Sequence, residues 1–327
     1  MMSRQSPADP SMGQPEIPVI INKRAGRKTP FSLWIEKLLL KPPMICKEAA
    51  WTGQRIEKEI VDAFYDRGLK ARPFVTQAPG HAKQIAEILV RQGMKWIAIA
   101  GGDGTVNEVV NAVAGSDVAL GIIPLGTANA LAIELGIPFS IRGAVEVITR
   151  KNIRTVDLGK VGGRFFIMGA GVSFDAEVVK NVAPAFKRIF GAFAYILTGL
   201  WQAVRYPFPR IEVRSEDGSG HRAEGYLAIV ANARFYGGYF RAAPKALLDD
   251  GLFNVLIMKK KRVWNLLRYV SVMRNGDVTT RGDVEYFRCR ELRVTGDAPV
   301  PVHVDAETAE MTPCDFKCVP KALRVIA

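Results

Sequence analysis

Apolar and polar positions fall into two textures along this chain, and the change comes near Arg150. Before it, short apolar runs alternate with longer helical patterns. Ile17 to Asn22 reads as a strand, Arg55 to Leu69 as a helix stopped near Gly68, and Ala71 to Thr76 as a second strand. His81 to Gln92 reads as a helix ending at Gly93. Trp96 to Ala100 and Leu120 to Pro124 are buried strands, and each empties into a glycine turn and a further helix. This alternation predicts a doubly wound α/β domain over 17–150. After Arg150 the segments become short and β-rich. A hairpin around Gly162-Gly163 joins 155–161 to 164–168, and further strands are expected at 211–214, 226–231, 252–258, 292–295 and 302–305. Helical stretches are expected over 175–205 and 262–273. The second texture predicts a β-sandwich-like domain over 151–314.

Composition narrows the class. The chain has 327 residues, 48% hydrophobic and 24% charged, enough for two domains with separate cores. Its longest apolar candidate, 189–204, is interrupted by Gly191, Gly199 and Gln202 and reads as a helix of a globular domain rather than a membrane span. Residues 1–16 read as a flexible tail without a secretory leader, so a cytoplasmic location and reduced thiols are expected. Cys314 and Cys318 could stand one helical turn apart, but with three histidines in the chain no paired zinc motif forms. The formal charge of +13 calls for an anionic partner. No nucleic-acid signature accompanies it, and the bases are dispersed, so nucleic acid is set aside. An anionic membrane surface is preferred, with peripheral association, because each juxtaposed base gains about 1 kcal/mol there. Phe31, Leu33, Trp34, Leu38 and Leu39, with Lys37 and Lys41, suggest a short amphipathic helix over 30–52.

The chemistry concentrates in two loops. Gly101-Gly102-Asp103-Gly104-Thr105 follows the first buried strand, and Leu125-Gly126-Thr127-Ala128-Asn129 follows the second. Glycines let backbone N–H groups approach an anion, and a helix N-terminus favours negative charge. Two such loops in succession lie at the carboxyl ends of parallel strands, where open α/β sheets bind ligands. Neither loop is a Walker or dinucleotide fingerprint.

The pair resembles the soluble diacylglycerol kinases, with sphingosine and ceramide kinases as wider relatives. Gly101 to Glu108 matches the GGDGT-x-NE motif, shared with NAD kinases, and Pro124 to Asn129 matches the more discriminating P-x-GT-x-N. Asn22-Lys23-Arg24-Ala25-Gly26 resembles the N-P-x-A/S-G loop, with Lys23 at the proline. The resemblance implies a nucleotide domain of the NAD kinase and phosphofructokinase type, a lipid-covering β domain, and an active site in the cleft between them. It also implies a terminal strand near 315–327 that returns to the first domain. ATP and Mg²⁺ are the implied cofactors, with Asn22, Thr76, Gly101, Gly102, Asp103, Gly104, Thr105, Glu108, Gly126 and Thr127 on the nucleotide.

Phosphoryl transfer to an alcohol needs charge neutralisation, alignment and a proton acceptor. Asp103 is suited to the nucleotide side. Val304-Asp305-Ala306-Glu307 resembles the family's D-G-E motif, with Ala306 at the glycine; there Asp305 would be the general base. Glu307 would share its side of the chain if the backbone stays extended. Gly237 to Leu252 resembles a segment whose aspartates hold a structural magnesium, which puts Asp249 and Asp250, with Asp157, forward as hard oxygen ligands. Gly169 to Ala176 matches a G-x-G-f-D-A run beside the cleft. The expected activity is an ATP-dependent lipid kinase acting on diacylglycerol. Asn129-Ala130-Leu131-Ala132 resembles sphingosine kinases and keeps a sphingolipid acceptor open. NAD kinase and a non-catalytic lipid-binding relative are the rivals, and a homodimer is held open.

Overall fold

The computed structural model describes residues 16–25, 52–182, 193–237 and 240–327. Residues 1–15 of the expected tail, nearly all of the 30–52 segment, and 183–192 within the expected 175–205 helix lie outside them, while Glu16 opens the first strand. Strands run in chain order as β1 (Glu16–Ile21), β2 (Lys70–Val75), β3 (Trp96–Gly101), β4 (Ala119–Pro124), β5 (Ile153–Val161), β6 (Arg164–Phe166), β7 (Gly169–Ser173), β8 (Ile211–Ser215) and β9 (Arg222–Gly225). They continue as β10 (Leu227–Ala231), β11 (Phe235–Tyr236), β12 (Phe240–Arg241), β13 (Phe253–Met258), β14 (Val284–Cys289), β15 (Glu291–Gly296), β16 (Pro301–Val304), β17 (Glu307–Met311) and β18 (Cys314–Ile326). The helices are α1 (Gly53–Tyr65), α2 (His81–Arg91), α3 (Asp103–Val113), α4 (Ala130–Leu135), α5 (Ile141–Arg150), α6 (Phe174–Asn181), α7 (Phe193–Arg205) and α8 (Val263–Asn275).

The first half is a parallel sheet in the order β2-β1-β3-β4. Its central strands are buried nearly end to end, Ile97 to Gly101 in β3 and all of β4, as continuous apolar runs require between two helical layers. Edge strand β2 carries Pro73 and is exposed or half-buried everywhere but at Ala71. Helix α1 seats Ile56, Ile60, Ala63 and Phe64 in that core, and its N-terminus is capped by Thr52. From β1 the chain passes to β2 on one side and β3 on the other, so the order reverses between β1 and β3. Such a reversal opens a crevice at the carboxyl ends of those strands.

The sheet does not end with the first domain. Arg324 and Val325 of β18 pair parallel with β4, while the body of β18 pairs antiparallel with β5 and β15, extending one sheet through both halves. A second antiparallel sheet, β14-β13-β10-β7-β16-β17, packs its inner face against this extension. Phe166 stacks on Phe253 at 5.8 Å and meets the edge of Phe316 at 6.4 Å. Gly159 makes room for it, since a Cβ there would fall 2.1 Å from the Phe166 ring. The outer face of the second sheet is covered by α6, α7 and α8. The α/β class with a β-sandwich-like second part is thus the observed fold.

Several local expectations are corrected. Strand β18 is thirteen residues long, so Cys314 and Cys318 sit two pleats apart on its buried side, not one helical turn apart. Their thiols, like that of Cys289, are pushed up to about 12 by burial. Strands β9, β14 and β17 arise where charged residues interrupt the apolar pattern, as at sheet edges.

Candidate active site

The two glycine loops meet backbone to backbone. A Cβ on Gly102 would lie 3.0 Å from Gly126 Cα, and one on Gly126 would lie 2.5 Å from Gly102 Cα. Only glycine at both positions permits this approach. The Leu125 N–H donates to Gly101 O at 2.9 Å, closing the β3–β4 ladder at the loops. Asn129, in the left-handed region at φ 50°, staples the second loop. Its Oδ1 accepts from Gly126 N–H at 2.7 Å, and its Nδ2 donates to Gly126 O at 2.8 Å.

Asp103 braces one loop to the other. Its carboxylate accepts the N–H groups of Asn129 at 2.9 Å and Ala130 at 2.6 Å, the opening of α4. Burial pushes its carboxyl up, the Asp305 charge adds to this, and the two amide bonds oppose it. Asn22, just past β1, donates to Thr105 Oγ1 at 2.9 Å and so ties the first loop of the crevice to α3. Gly104 faces Glu307: a Cβ there would lie 3.2 Å from Glu307 Oε1. Gly126 is buried beside half-buried Thr127.

One of the expected nucleotide residues caps a neighbouring helix. Glu108 accepts the N–H groups of Gly80 at 2.9 Å and Ala82 at 3.1 Å, so its carboxylate caps α2 and is not turned to the cradle. Thr76 follows β2, and its N–H bonds to Ile21 O at 2.9 Å.

Asp305 arrives from the other half. Contrary to the extended expectation, Asp305 and Ala306 both have positive φ, 46° and 63°, and form the two-residue turn between β16 and β17. Ala306 therefore stands where a β-carbon costs about 1 kcal/mol or more. The turn aims the Asp305 carboxylate into a nest of amides: Ile167 at 2.9 Å, Met168 at 3.0 Å and Gly169 at 3.2 Å. A fourth donor is Asn107 Nδ2 at 2.8 Å. Burial nevertheless holds the Asp305 carboxyl above its ordinary value, with these four bonds opposing. Glu307 pairs with Arg164, which also donates to Asn107 Oδ1 at 3.2 Å. Asn107 is thus the hinge of the site: it belongs to α3, which begins in the first loop, and it grips the carboxylate of the second half. Asn107 stands inside the quoted motif; Arg164 and the 167–169 amides had no sequence signal.

The acidic trio expected to hold a structural cation does not converge. Asp157 is 1% exposed, and its two oxygens accept the N–H groups of Gly251 at 2.6 Å and Lys321 at 2.7 Å. It fixes the 248–251 turn against the irregular ladder of β18. Asp250 is paired with Arg288 and accepts from Leu252 N–H at 3.1 Å; Asp249 lies 3.7 Å from Arg154. Among the described residues no three His, Cys, Asp or Glu side chains gather in a metal-holding group. The trio is a set of structural acceptors here.

Beside Asp305 lies a second polar cluster. The Tyr236 hydroxyl bonds to Asp175 Oδ2 at 2.5 Å and meets His303 Nε2 at 2.6 Å, in the space that Gly171 leaves open. Burial, with the Asp175 charge, holds the phenol well above its usual range.

A glycine cradle at the sheet's switch point, faced by a buried carboxylate carried on a second antiparallel sheet, defines a two-domain kinase. Comparison with known proteins specifies it further. Residues 48–161 match the diacylglycerol kinase catalytic domain, and 168–327 match the YegS C-terminal NAD kinase beta sandwich-like domain. A diacylglycerol kinase of Bacillus subtilis (strain 168) is 29% identical over 82% of this chain and 89% of its own. That of Staphylococcus carnosus (strain TM300) is 28% identical over 80% and 86%. The crystal structure of a diacylglycerol kinase from Bacillus anthracis str. Sterne has the same fold, with a TM-score of 0.70 at 18% identity, covering 95% of this chain and 96% of that one. The chain carries a diacylglycerol kinase catalytic domain, belongs to the diacylglycerol kinase family and is an ATP-dependent lipid kinase.

Proposed function

We propose that the cleft transfers the γ-phosphoryl group of ATP to the free hydroxyl of diacylglycerol, taken from an anionic membrane surface with which the enzyme associates peripherally. The observation that carries this reading is the Asn107–Asp305 bond, by which the helix leading out of the cradle holds the carboxylate of the other half. In this reading the amides of the touching loops cradle the nucleotide phosphates, and Asp103 keeps those loops in register. Among the described residues no three carboxylates gather into a protein-only magnesium cage. Magnesium accordingly enters with ATP as the substrate complex, retaining waters as Mg²⁺ prefers.

All four lone-pair positions of the Asp305 carboxylate are occupied. Accepting a hydroxyl proton requires one bond to yield, and the Gly169 bond at 3.2 Å is the longest. The acceptor O–H takes that place, its oxygen attacks the γ-phosphorus, the bond to ADP breaks, and the proton passes to Asp305 as the new P–O bond forms. Burial raises the basicity of this carboxylate above that of an exposed aspartate, which suits the role.

The test is transfer of labelled phosphate from Mg–ATP to a panel of diacylglycerol, sphingosine, ceramide and NAD. Diacylglycerol should be labelled fastest. Preferential labelling of sphingosine or ceramide would reassign the acceptor, and labelling of NAD alone would overturn the lipid reading.

A further inference from the structure

Ten large apolar side chains are more than a third exposed among the described residues, and six of them lie on just two helices. Helix α7 turns Leu200, Trp201 and Val204 outward, and α8 turns out Trp264, Leu267 and Val270. Trp201 is 63% exposed and Trp264 81%. The two helices adjoin on the outer face of the second sheet, where Ala203, Tyr269 and Met273 anchor them to a shared core. A cluster of this kind on a polar surface marks an interaction site.

The charge around it selects the partner. Neither helix contains a carboxylate. Residues 259–276 carry Lys259, Lys260, Lys261, Arg262, Arg268 and Arg274 without one acid, and all six are exposed. The Arg205 guanidinium lies 3.7 Å over the Trp201 ring, a base folded along an indole. Outward tryptophans among bases, on helices that carry no acid, suit a plane of anionic headgroups above an apolar layer, although Lys259 at the edge is paired with Glu285. No described helix is long and apolar enough to cross a membrane. The same sheet carries β16, which leads into Asp305, and α7 packs on α6, whose first turn carries Asp175.

We propose that the paired outer faces of α7 and α8 are the surface on which this chain docks onto an anionic bilayer. Trp201 and Trp264 enter the interface, and the 259–274 bases contact headgroups. The proposal rests on the membrane-acting lipid kinase reading and adds the face that meets the membrane.

The full chain is sedimented, without ATP, with vesicles of phosphatidylcholine alone or mixed with phosphatidylglycerol. Wild type should partition onto the mixed vesicles, and Trp201→Glu/Trp264→Glu should lower that partition by roughly tenfold or more. Lys260→Glu/Arg268→Glu should lower it by at least about fivefold per base on mixed vesicles only. Ile88→Glu, exposed on α2, should match wild type. Quenching of tryptophan fluorescence by brominated lipid should fall in Trp201→Phe/Trp264→Phe, variants that leave the helices unchanged in character. Face variants that partition like wild type would overturn the proposal. So would variants that change the mass of the chain in solution and not its vesicle binding, which would make the face a protein interface. If no lipid accepts phosphate yet vesicle binding still depends on this face, the kinase reading falls and the docking surface stands.

Discussion

Gly126→Ala puts the contact between the two loops to a quantitative test. The new Cβ would stand 2.5 Å from Gly102 Cα, 2.8 Å from Asn129 Oδ1 and 3.5 Å from Gly102 N. The nearest atom is backbone, so no rotamer change relieves the clash, and either the loops separate or the Asn129 staple opens. Overpacking of this kind costs about 1–3 kcal/mol. Breaking the Asn129–Gly126 hydrogen bonds adds about 1 kcal/mol. Urea unfolding should therefore show a loss of about 2–4 kcal/mol. Because the displaced amides are those assigned to the phosphates, the KM for Mg–ATP should rise by about tenfold or more, which corresponds to a single misplaced hydrogen bond to a charged group. Gly102→Ala meets the same loop at 3.0 Å and should cost less on both measures. Gly163→Ala, with nothing within 4 Å of its added carbon, should stay within about 0.5 kcal/mol of wild type. Wild-type stability and ATP affinity in Gly126→Ala would refute the reasoning.

Other perturbations separate the remaining roles. Asn107→Ala removes one of four donors to Asp305, so the carboxyl, already raised by burial, should rise further. A base must be ionised to act, and the acid limb of the kcat/KM profile should accordingly move to higher pH in that variant; an unmoved limb would exclude Asp305 as the titrating group. Asp157→Ala should cost about 1–3 kcal/mol by leaving the buried Gly251 amide unpaired and freeing the Lys321 amide to water, while chelation by EDTA should leave the melting temperature of wild type unchanged. A melting temperature that falls on chelation would restore the structural cation. Ala306→Gly relieves a positive φ and should stabilise the chain by up to about 1 kcal/mol at unchanged rate; destabilisation in urea would contradict the turn geometry.

The cradle was legible in the sequence because its signal is local. Glycines directly after the apolar runs of β3 and β4, each followed by helix-forming residues, determine a loop at a strand end wherever the rest of the chain goes. Asn107 and Asn129 stood within the same motifs, yet their partners lie across the fold. What the sequence hid is chiefly long-range or carried by backbone. The nest around Asp305 is made of main-chain N–H groups at 167–169, and an amide has no residue type to announce it. The turn at Asp305-Ala306 was hidden because alanine occupies a place that the hairpin would give to glycine, so the run read as extended. Glu108 and Asp157 illustrate a use of carboxylates that the sequence does not announce. Carboxylates near a site suggest ligands, but both are spent on amides that the fold would otherwise leave unpaired, the start of α2 and the irregularity of β18.

The most direct measurement is single-turnover phosphate transfer by Asp305→Asn, with Mg–ATP binding measured on the same preparation. The account predicts a fall in rate of about 10²–10⁴-fold, the usual worth of a positioned proton acceptor, with ATP affinity nearly unchanged. A variant that transfers phosphate at close to the wild-type rate, or one that loses ATP binding while keeping its rate, would contradict the assignment of Asp305 to the acceptor hydroxyl.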